Sequence, residues 1–267
     1  MVRMILYPNA KINIGLKVLN KREDGFHNLE TLFYPVSGVV DVLEIVQSSG
    51  RLKMFQYGLE YPGDIMENLC VKAYNVLKED FDIPPVDIHL YKKIPVGAGL
   101  GGGSSDAAFM LKGLNEMFKL GLGEEKLCEY AARLGSDCPF YIYNRPMLGE
   151  GRGEILTKAE VPNLEGYEIK LVYPPVFVST ADAYKGIVPR DKRAANGEQF
   201  EEKPLLQELE ADIKEWKNMI VNDFEQTIFA KYPQLKSYKE QLYEQGAVYA
   251  SMSGSGSAMF GIFEKSK

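Results

Sequence analysis

A glycine-rich segment between a strand pattern and a helix pattern constrains this chain more than any other feature. Its eleven residues, five of them glycine, are Pro95, Val96, Gly97, Ala98, Gly99, Leu100, Gly101, Gly102, Gly103, Ser104 and Ser105. Before the segment, residues 86–94 alternate between apolar and polar, which predicts a strand. After it, apolar side chains from Ala107 to Phe118 recur at helical spacing. The sequence therefore predicts a strand, a glycine loop and a helix in succession.

This arrangement is suited to binding an anion such as phosphate. The first turn of a helix has N–H groups without an intrahelical partner, and the helix dipole adds partial positive charge there. Glycine has no Cβ, so its backbone adopts positive φ readily and approaches a ligand closely. Ser104 and Ser105 would add hydroxyl groups, and we predict that Ser105 faces a phosphate-bound Mg²⁺. A flexible connector is the alternative, which the density of glycine at this junction disfavours.

Two common glycine motifs fit the segment less well. The P-loop requires a lysine directly after its last glycine, and none follows here. The stretch Gly97–Gly102 matches the Gly-x-Gly-x-x-Gly pattern of dinucleotide-binding domains. Those domains place an acidic residue after a second strand, whereas Glu116 and Glu124 follow no second strand pattern. A Rossmann oxidoreductase is therefore an incomplete match.

Length and composition indicate a globular protein without a nucleic-acid or membrane partner. A chain of 267 residues is long enough for two lobes. The net charge of −6 gives no basic surface for nucleic acid, so a polyphosphate would be bound by local groups. Cys70, Cys128 and Cys138 lack metal-site spacing and are expected to be reduced thiols. With no secretory leader pattern and no apolar run of about 18 residues, we expect a cytoplasmic protein.

Several segments resemble motifs of the GHMP kinases. The glycine loop is similar to their second motif, Pro-x-x-x-Gly-Leu-Gly-Ser/Gly-Ser-Ser, and Ser253–Ala258 is similar to the third. The Gly-Gly-Gly-Ser-Ser-Asp-Ala-Ala version at 101–108 resembles the branch that acts on a cytidine-diphosphate-linked methylerythritol. Pro-Asn-Ala-Lys-Ile-Asn-Ile at 8–14 resembles the first motif of that same branch. The resemblance runs from Ala10 to about Phe263.

The resemblance implies two catalytic residues and one further nucleotide contact. Asp137, within Gly-Ser-Asp-Cys-Pro-Phe at 135–140, matches the catalytic aspartate and would accept the proton of the substrate hydroxyl. Lys11 matches the active-site lysine and would keep Asp137 ionised if the two lie close together. Taken alone, Lys11 could be an exposed strand lysine, and Asp137 could bond only the N–H groups of its own turn. Asn68, the predicted N-cap of a helix over 68–80, would border the adenine.

The resemblance also implies a substrate site built around a pyrimidine. Phe26 would stack on the cytosine, His27 would hydrogen-bond its edge, and Tyr184 would cover its other face. The branch frequently has tyrosine where this chain has Phe26, which keeps the stacking and loses a hydroxyl. The remaining predicted substrate contacts are Asn13, Phe33 and Thr180. Phe33 could equally be a core residue, and Thr180 could cap a helix.

The resemblance implies an α+β fold with two lobes. Residues 1–163 would form an ATP-binding lobe like domain 2 of ribosomal protein S5, and residues 164–267 a ferredoxin-like lobe, with ATP and substrate meeting between them. The implied reaction is Mg²⁺-assisted transfer of a phosphoryl group from ATP to the 2-hydroxyl of the cytidylyl alcohol, a step in the non-mevalonate route to isoprenoids. We expect a monomer or weak homodimer. The alternatives are another GHMP kinase, such as a homoserine or mevalonate kinase, and a nucleotide-binding sensor without catalysis.

The remaining elements follow from periodicity and turn residues. Residues 41–47 and 52–57 are predicted to form an antiparallel hairpin, and residues 147–156 a second one with an ordinary charged turn. Residues 190–203 are predicted to be a mobile surface loop. Helices are predicted over 205–221, 224–232 and 235–245, followed by a strand over 248–252 and another over 259–264.

Overall fold

The computed structural model describes residues 2–60, 63–161, 164–197 and 203–265. The strands are β1 Arg3–Leu6, β2 Asn9–Lys21, β3 His27–Val40, β4 Val42–Gln47, β5 Lys53–Gly58, β6 Val86–Lys92, β7 Met147–Gly151, β8 Ile155–Lys158, β9 Tyr167–Val172, β10 Tyr249–Met252 and β11 Met259–Glu264. The helices are α1 Leu69–Lys78, α2 Gly102–Met117, α3 Glu124–Ala132, α4 Cys138–Tyr143, α5 Thr180–Tyr184, α6 Arg190–Ala195, α7 Leu205–Glu208, α8 Trp216–Met219, α9 Phe224–Lys231 and α10 Pro233–Glu244. Short 3₁₀ turns occupy Ile65–Glu67 and Ile213–Glu215.

The chain forms two compact units, each assembled from separate stretches. The first unit contains residues 1–10, 39–96 and 101–145, and the second contains residues 11–38, 97–100 and 146–267. Strands β2 and β3 share a sheet with the hairpin β7–β8, so residues from the N-terminal part of the chain belong to the second unit. A boundary between residues 163 and 164 therefore falls inside that unit, and the division into lobes 1–163 and 164–267 stays a prediction.

The first unit is built on a four-stranded sheet with the order β1-β4-β6-β5. The predicted hairpin over 41–47 and 52–57 is wrong, because β6 lies between β4 and β5 and pairs with both. Helix α2 lies close to this sheet: a Cβ at Gly113 would stand 2.6 Å from Leu6 Cδ1 and 2.7 Å from Ile45 Cδ1. This close approach fixes the position of α2, and with it the helix start that follows the glycine loop.

The helix ends of the first unit agree with the sequence at α1 and differ at α2 and α4. Asn68 caps α1, since its side-chain oxygen accepts from Cys70 N at 2.9 Å, as predicted. Helix α2 begins at Gly102, so the last glycines of the loop lie in its first turn. Helix α4 was not predicted. Pro139 occupies its first turn, where a backbone N–H would have no partner within the helix, so proline loses no hydrogen bond there.

The second unit contains two antiparallel arrangements around an apolar core. One sheet has the order β2-β3-β7-β8 and includes the predicted hairpin near 147–156, and the other has the order β10-β11-β9. Helices α9 and α10 confirm the predictions over 224–232 and 235–245. Their buried side chains Phe224, Ile228 and Leu242 pack with Met252 and Met259 of β10 and β11. The core thus joins the helices to the strands that flank the third glycine-rich loop.

Two predictions in the second unit are wrong. Residues 190–195 form helix α6 where a surface loop was predicted; residues 198–202 of that prediction lie outside the described part of the chain. The single helix predicted over 205–221 is interrupted, because Asp212 accepts from Lys214 N at 2.9 Å and starts a new turn. Trp216 is fully buried and donates to Ala211 O at 3.1 Å, which holds the interruption in place. Among the described residues, no helix is long and apolar enough to cross a bilayer.

Candidate active site

The start of α2 presents backbone rather than side chains. Its N-cap, Gly101, has φ of +67° and no side chain that could accept from the first-turn N–H groups. A Cβ at Gly102 would lie 2.8 Å from Ile94 Cγ2 and 3.2 Å from Lys92 Nζ, so only glycine fits there without a shift. Gly103 is exposed. A bare first turn on a helix of 16 residues, with a lysine ammonium nearby, has the properties of an anion site.

A buried ionic triad supports the strand that leads into the loop. Lys92 Nζ lies 2.5 Å from Asp41 Oδ2 and 2.7 Å from Asp106 Oδ2, and all three residues are buried. Asp41 Oδ1 also accepts from Lys93 N at 2.5 Å and from Ile94 N at 2.9 Å. One carboxylate therefore fixes both the lysine and the backbone at the end of β6.

The triad holds two carboxyl groups and one ammonium, and the pKa values of Lys92 and Asp106 are shifted. Burial lowers the pKa of Lys92, but the charges of Asp106 and Asp41 outweigh it and leave this pKa above its usual value. Burial raises the pKa of Asp106 well above its usual value, and Lys92 offsets this only in part. None of these three residues was predicted from the sequence. A signal was present, because Lys92 continues the buried face of Val86, Ile88 and Leu90 at a spacing of two.

Asp137 occupies the N-cap position of α4 and is half-buried. Its side chain makes no capping hydrogen bond to α4, and its role as proton acceptor stays a prediction. The next residue, Cys138, is buried; burial, together with the Asp137 charge, raises the pKa of its thiol to about 11, against a hydrogen bond from Ser104. That hydrogen bond joins the start of α2 to the residue beside Asp137.

Ser105 is the predicted metal-facing residue. It is fully buried, and within the described residues its hydroxyl has no hydrogen-bond partner. In the same residues, no group of three or more His, Cys, Asp or Glu side chains could hold a metal ion. The assignment of Ser105 to Mg²⁺ stays a prediction.

In the second unit, Lys11 and Asn13 form one buried polar pair on β2. Lys11 Nζ donates to Asn13 Oδ1 at 2.6 Å, and Asn13 Nδ2 donates to Thr31 Oγ1 at 3.1 Å. Lys11 is 4% exposed, so it is not the exposed strand lysine of the alternative interpretation. Its Nζ also lies 5.1 Å from the centroid of the Phe33 ring, which brings three predicted site residues together. Thr31, which the sequence analysis did not select, fixes the amide of Asn13 by donating its own proton to Gly15 O at 2.6 Å.

The tip of the glycine loop meets β2 and the third glycine-rich loop. Lys11 N donates to Leu100 O at 3.0 Å, and Ala258 N donates to Ala98 O at 3.1 Å. Ser253 Oγ donates to Gly99 O at 2.8 Å and accepts from Asn13 N at 3.3 Å. The three motifs recognised in the sequence therefore lie side by side, and Ser253 links all of them.

Two of the three rings predicted to bind the pyrimidine contact each other. His27 and Tyr184 are stacked, with centroids 5.1 Å apart and an angle of 19° between the rings. Burial, followed by the charges of Lys21 and Lys192, lowers the pKa of His27 below its usual value, so its ring is neutral near pH 7. Phe26 is 54% exposed. A neutral histidine offers both a donor and an acceptor, which is what recognition of a base edge needs.

Thr180 and the remaining predicted residues lie as follows. Thr180 Oγ1 is 3.4 Å from Ser255 Oγ, which places it against the third glycine-rich loop. The cap of α5 is Ser179 rather than Thr180, since Ser179 Oγ accepts from Asp182 N at 3.0 Å. Lys11 and Asp137 belong to different units, and their proximity stays a prediction.

Comparison with known proteins defines the class of this chain. Residues 68–145 match the family described as GHMP kinases N terminal domain, and residues 204–267 match GHMP kinases C terminal. Together the two matches span just over half of the chain. The chain therefore belongs to the GHMP kinases and has their mixed α/β fold, as predicted. A homoserine kinase structure from Cytophaga hutchinsonii shares that fold alone, with a TM-score of 0.62, 18% identity and coverage of 96% of this chain and 85% of that one.

Two relatives with higher sequence identity place the chain in one branch of this family. The 4-diphosphocytidyl-2-C-methyl-D-erythritol kinase of Bacteroides fragilis is 51% identical over 263 residues, which are 97% of this chain and 92% of the relative. A crystal structure of 4-(cytidine 5'-diphospho)-2C-methyl-D-erythritol kinase has a TM-score of 0.79 and 33% identity, covering 97% of this chain and 90% of that one. Within the GHMP kinases, the chain is therefore a member of the 4-diphosphocytidyl-2-C-methyl-D-erythritol kinase family, and the predicted resemblance is confirmed.

Proposed function

We propose that this chain transfers a phosphoryl group from ATP to the 2-hydroxyl of 4-diphosphocytidyl-2-C-methyl-D-erythritol, giving the 2-phosphate and ADP. The observation that carries the proposal is the bare start of α2 at Gly101–Gly103, in a chain so similar to kinases named for this substrate. Phosphoryl transfer depends mainly on positioning and on neutralising charge, and an uncapped helix start supplies both. The product belongs to the non-mevalonate route to isoprenoid precursors.

ATP would bind at the first-turn backbone of α2. No side chain at Gly101, Gly102 or Gly103 would stand between a phosphate and the N–H groups, and Ser104 is half-buried at the same turn. Asn68 Oδ1 already accepts from Cys70 N at the start of α1, so its contact with adenine would use the amide nitrogen. Mg²⁺ would supply charge neutralisation for the phosphates, and Ser105 remains its proposed protein contact.

Asp137 is the proposed proton acceptor. It stands at the N-cap position of α4 and is half-buried. It would take the proton of the tertiary hydroxyl as that oxygen attacks. Lys11, whose ammonium donates to Asn13 at 2.6 Å, would carry positive charge to the reacting oxygens.

The cytidine would be bound by Phe26, His27 and Tyr184. Aromatic faces stack on a pyrimidine, and the neutral ring of His27 provides the hydrogen bonds that distinguish cytosine. In this structure His27 lies on Tyr184, so a base that stacks on Tyr184 from that side would displace or slide along the histidine ring. Asn13, Phe33 and Thr180 are the further proposed contacts of the substrate.

The decisive experiment measures ADP release with ATP and the cytidylyl alcohol, for the wild type and for Asp137→Asn. We expect turnover in the wild type and a loss of kcat by about 10²–10⁴-fold in the variant, with a smaller change in KM. Ser136→Ala, next to Asp137 and exposed, is the matched control and should keep its turnover. Near-normal kcat in Asp137→Asn would refute the assignment of the base.

The same assay separates the rival functions. Turnover of homoserine or mevalonate in preference to the cytidylyl alcohol would indicate another GHMP kinase. Nucleotide binding in calorimetry without any turnover would indicate a sensor. We also propose a cytoplasmic monomer or weak homodimer, which sedimentation of the purified chain at several concentrations would test.

A further inference from the structure

The hairpin β7–β8 carries a glycine-rich turn, which was predicted from the sequence to be an ordinary charged turn. Gly151 has φ of +65° and Gly153 has φ of +102°, and Gly153 N donates to Glu150 O at 2.9 Å. The hairpin rests on Phe33: a Cβ at Gly149 would lie 2.3 Å from Phe33 Cε2, and one at Gly153 would lie 3.3 Å from Phe33 Cζ. The turn is therefore packed on a predicted substrate residue, and it carries Arg152 between two glycines with positive φ.

Arg152 contacts the ring of Phe26. The central carbon of its guanidinium lies 4.8 Å from the ring centroid. Glu154 holds the other side of the arginine: its carboxylate accepts from Arg152 N and lies 3.6 Å from Arg152 Nε. The arginine side chain is 40% exposed. A guanidinium stacks on an aromatic ring in a defined plane, so the contact restricts the ring as well as attracting it.

Phe26 needs such support because the rest of its surroundings are open. Its backbone is fixed, since Phe26 O accepts from Arg22 N at 2.8 Å and Phe26 N donates to Asp24 Oδ1 at 3.1 Å. Its side chain is nevertheless 54% exposed. A ring that must rotate into position loses conformational entropy when a ligand stacks on it, and a ring already held in place loses less.

We infer that Arg152 is a positioning residue of the pyrimidine site: it covers one face of Phe26 and holds the other face ready for the base of a cytidine nucleotide. The inference rests on the proposed function, in which Phe26 stacks on the cytosine. Arg152 acts through Phe26 and Glu154 orients Arg152, so the hairpin turn, Phe33 and the Phe26 loop form one supporting structure.

The test is a double-mutant cycle with Arg152→Ala, Phe26→Ala and the double variant. The readouts are the KM of the cytidylyl alcohol and the Kd of cytidine 5′-diphosphate measured by calorimetry. Arg152→Ala should raise both by about two- to fivefold, the strength of an exposed cation–π contact, while the KM of ATP and kcat change little. Arg152→Lys, which keeps the charge without the flat stacking group, should recover part of the loss. Arg51→Ala, an exposed arginine in the loop between β4 and β5, is the control.

The effect of Arg152→Ala in the Phe26→Ala variant tests whether Arg152 acts through the Phe26 ring. There, Arg152→Ala should have no further effect on cytidine diphosphate binding, because the ring it positions is gone. Equal effects in both backgrounds would mean that Arg152 touches the nucleotide independently, and would overturn the inference. Unchanged KM and Kd in Arg152→Ala would overturn it as well. If the wild type binds cytidine diphosphate but turns over no cytidylyl alcohol, the proposed function fails while the cycle still tests Arg152.

Discussion

Gly99 at the tip of the glycine loop is the position where a single methyl group should do most harm. Its φ is +77°, and a Cβ there would stand 2.0 Å from Ser253 O and 3.2 Å from Gly256 N. Both neighbours are backbone atoms, so neither can turn away as a side chain could. Gly99→Ala must therefore move the loop tip away from the third glycine-rich loop.

The size of the effect follows from two contributions. An alanine in the left-handed region costs about 1–2 kcal/mol, and forcing extra volume into a packed contact costs about 1–3 kcal/mol. Together they predict a loss of about 2–5 kcal/mol in the free energy of unfolding, which lowers the Tm of a chain of this size by roughly 5–15 °C. The chain should still fold, because domains are stable by about 5–15 kcal/mol.

Gly121→Ala separates the two contributions. Gly121 has a similar φ of +72°, but a Cβ there would meet nothing within 4 Å. This variant should show only the backbone cost, about 1–2 kcal/mol, in urea unfolding followed by circular dichroism. Gly99→Ala should be clearly less stable and should also bind ATP more weakly in calorimetry, whereas Gly121→Ala should bind it normally. Equal stability of the two variants would show that the close approach of Gly99 to Ser253 O does not exclude a Cβ.

The remaining predictions concern the buried triad and the aromatic site. The raised pKa of Asp106 means that the folded state holds the carboxyl proton more tightly than the unfolded state, in which the pKa is near 3.8. The contribution of Asp106 to stability is therefore present below pH 3.8 and is lost as pH rises toward the folded pKa. Asp106→Asn should reduce this slope in urea unfolding from pH 4 upward, and a slope that stays the same would contradict it. Lys92→Met should instead destabilise by about 3–5 kcal/mol by leaving buried carboxylates unpaired, and an unchanged midpoint would contradict that. Phe26→Ala and Tyr184→Ala should raise the KM of the cytidylyl alcohol and leave that of ATP unchanged; normal substrate KM in both would exclude the pyrimidine site.

Local patterns predicted several elements well. The alternation along β6, the cap at Asn68 and the spacing in α9 and α10 depend on neighbours within a few residues, and all agree with the structure. Strand pairing does not depend on such neighbours. Residues 42–47 and 53–58 look like a hairpin in the sequence, yet β6 forms hydrogen bonds with both strands and separates them.

The sequence by itself determined which segments carry chemistry: glycines between a strand and a helix, Lys11 and Asn13 two residues apart on β2, and an aromatic beside His27. These are properties of short stretches, because backbone freedom, caps and strand alternation are set locally. Only the tertiary structure decided which other residues hold these segments in place. Asp41 reaches Lys92 across 51 positions and Asp106 across 14. Arg152 reaches Phe26 across 126 positions that no local pattern connects. Such contacts arise from packing, which brings together residues with no regular spacing between them.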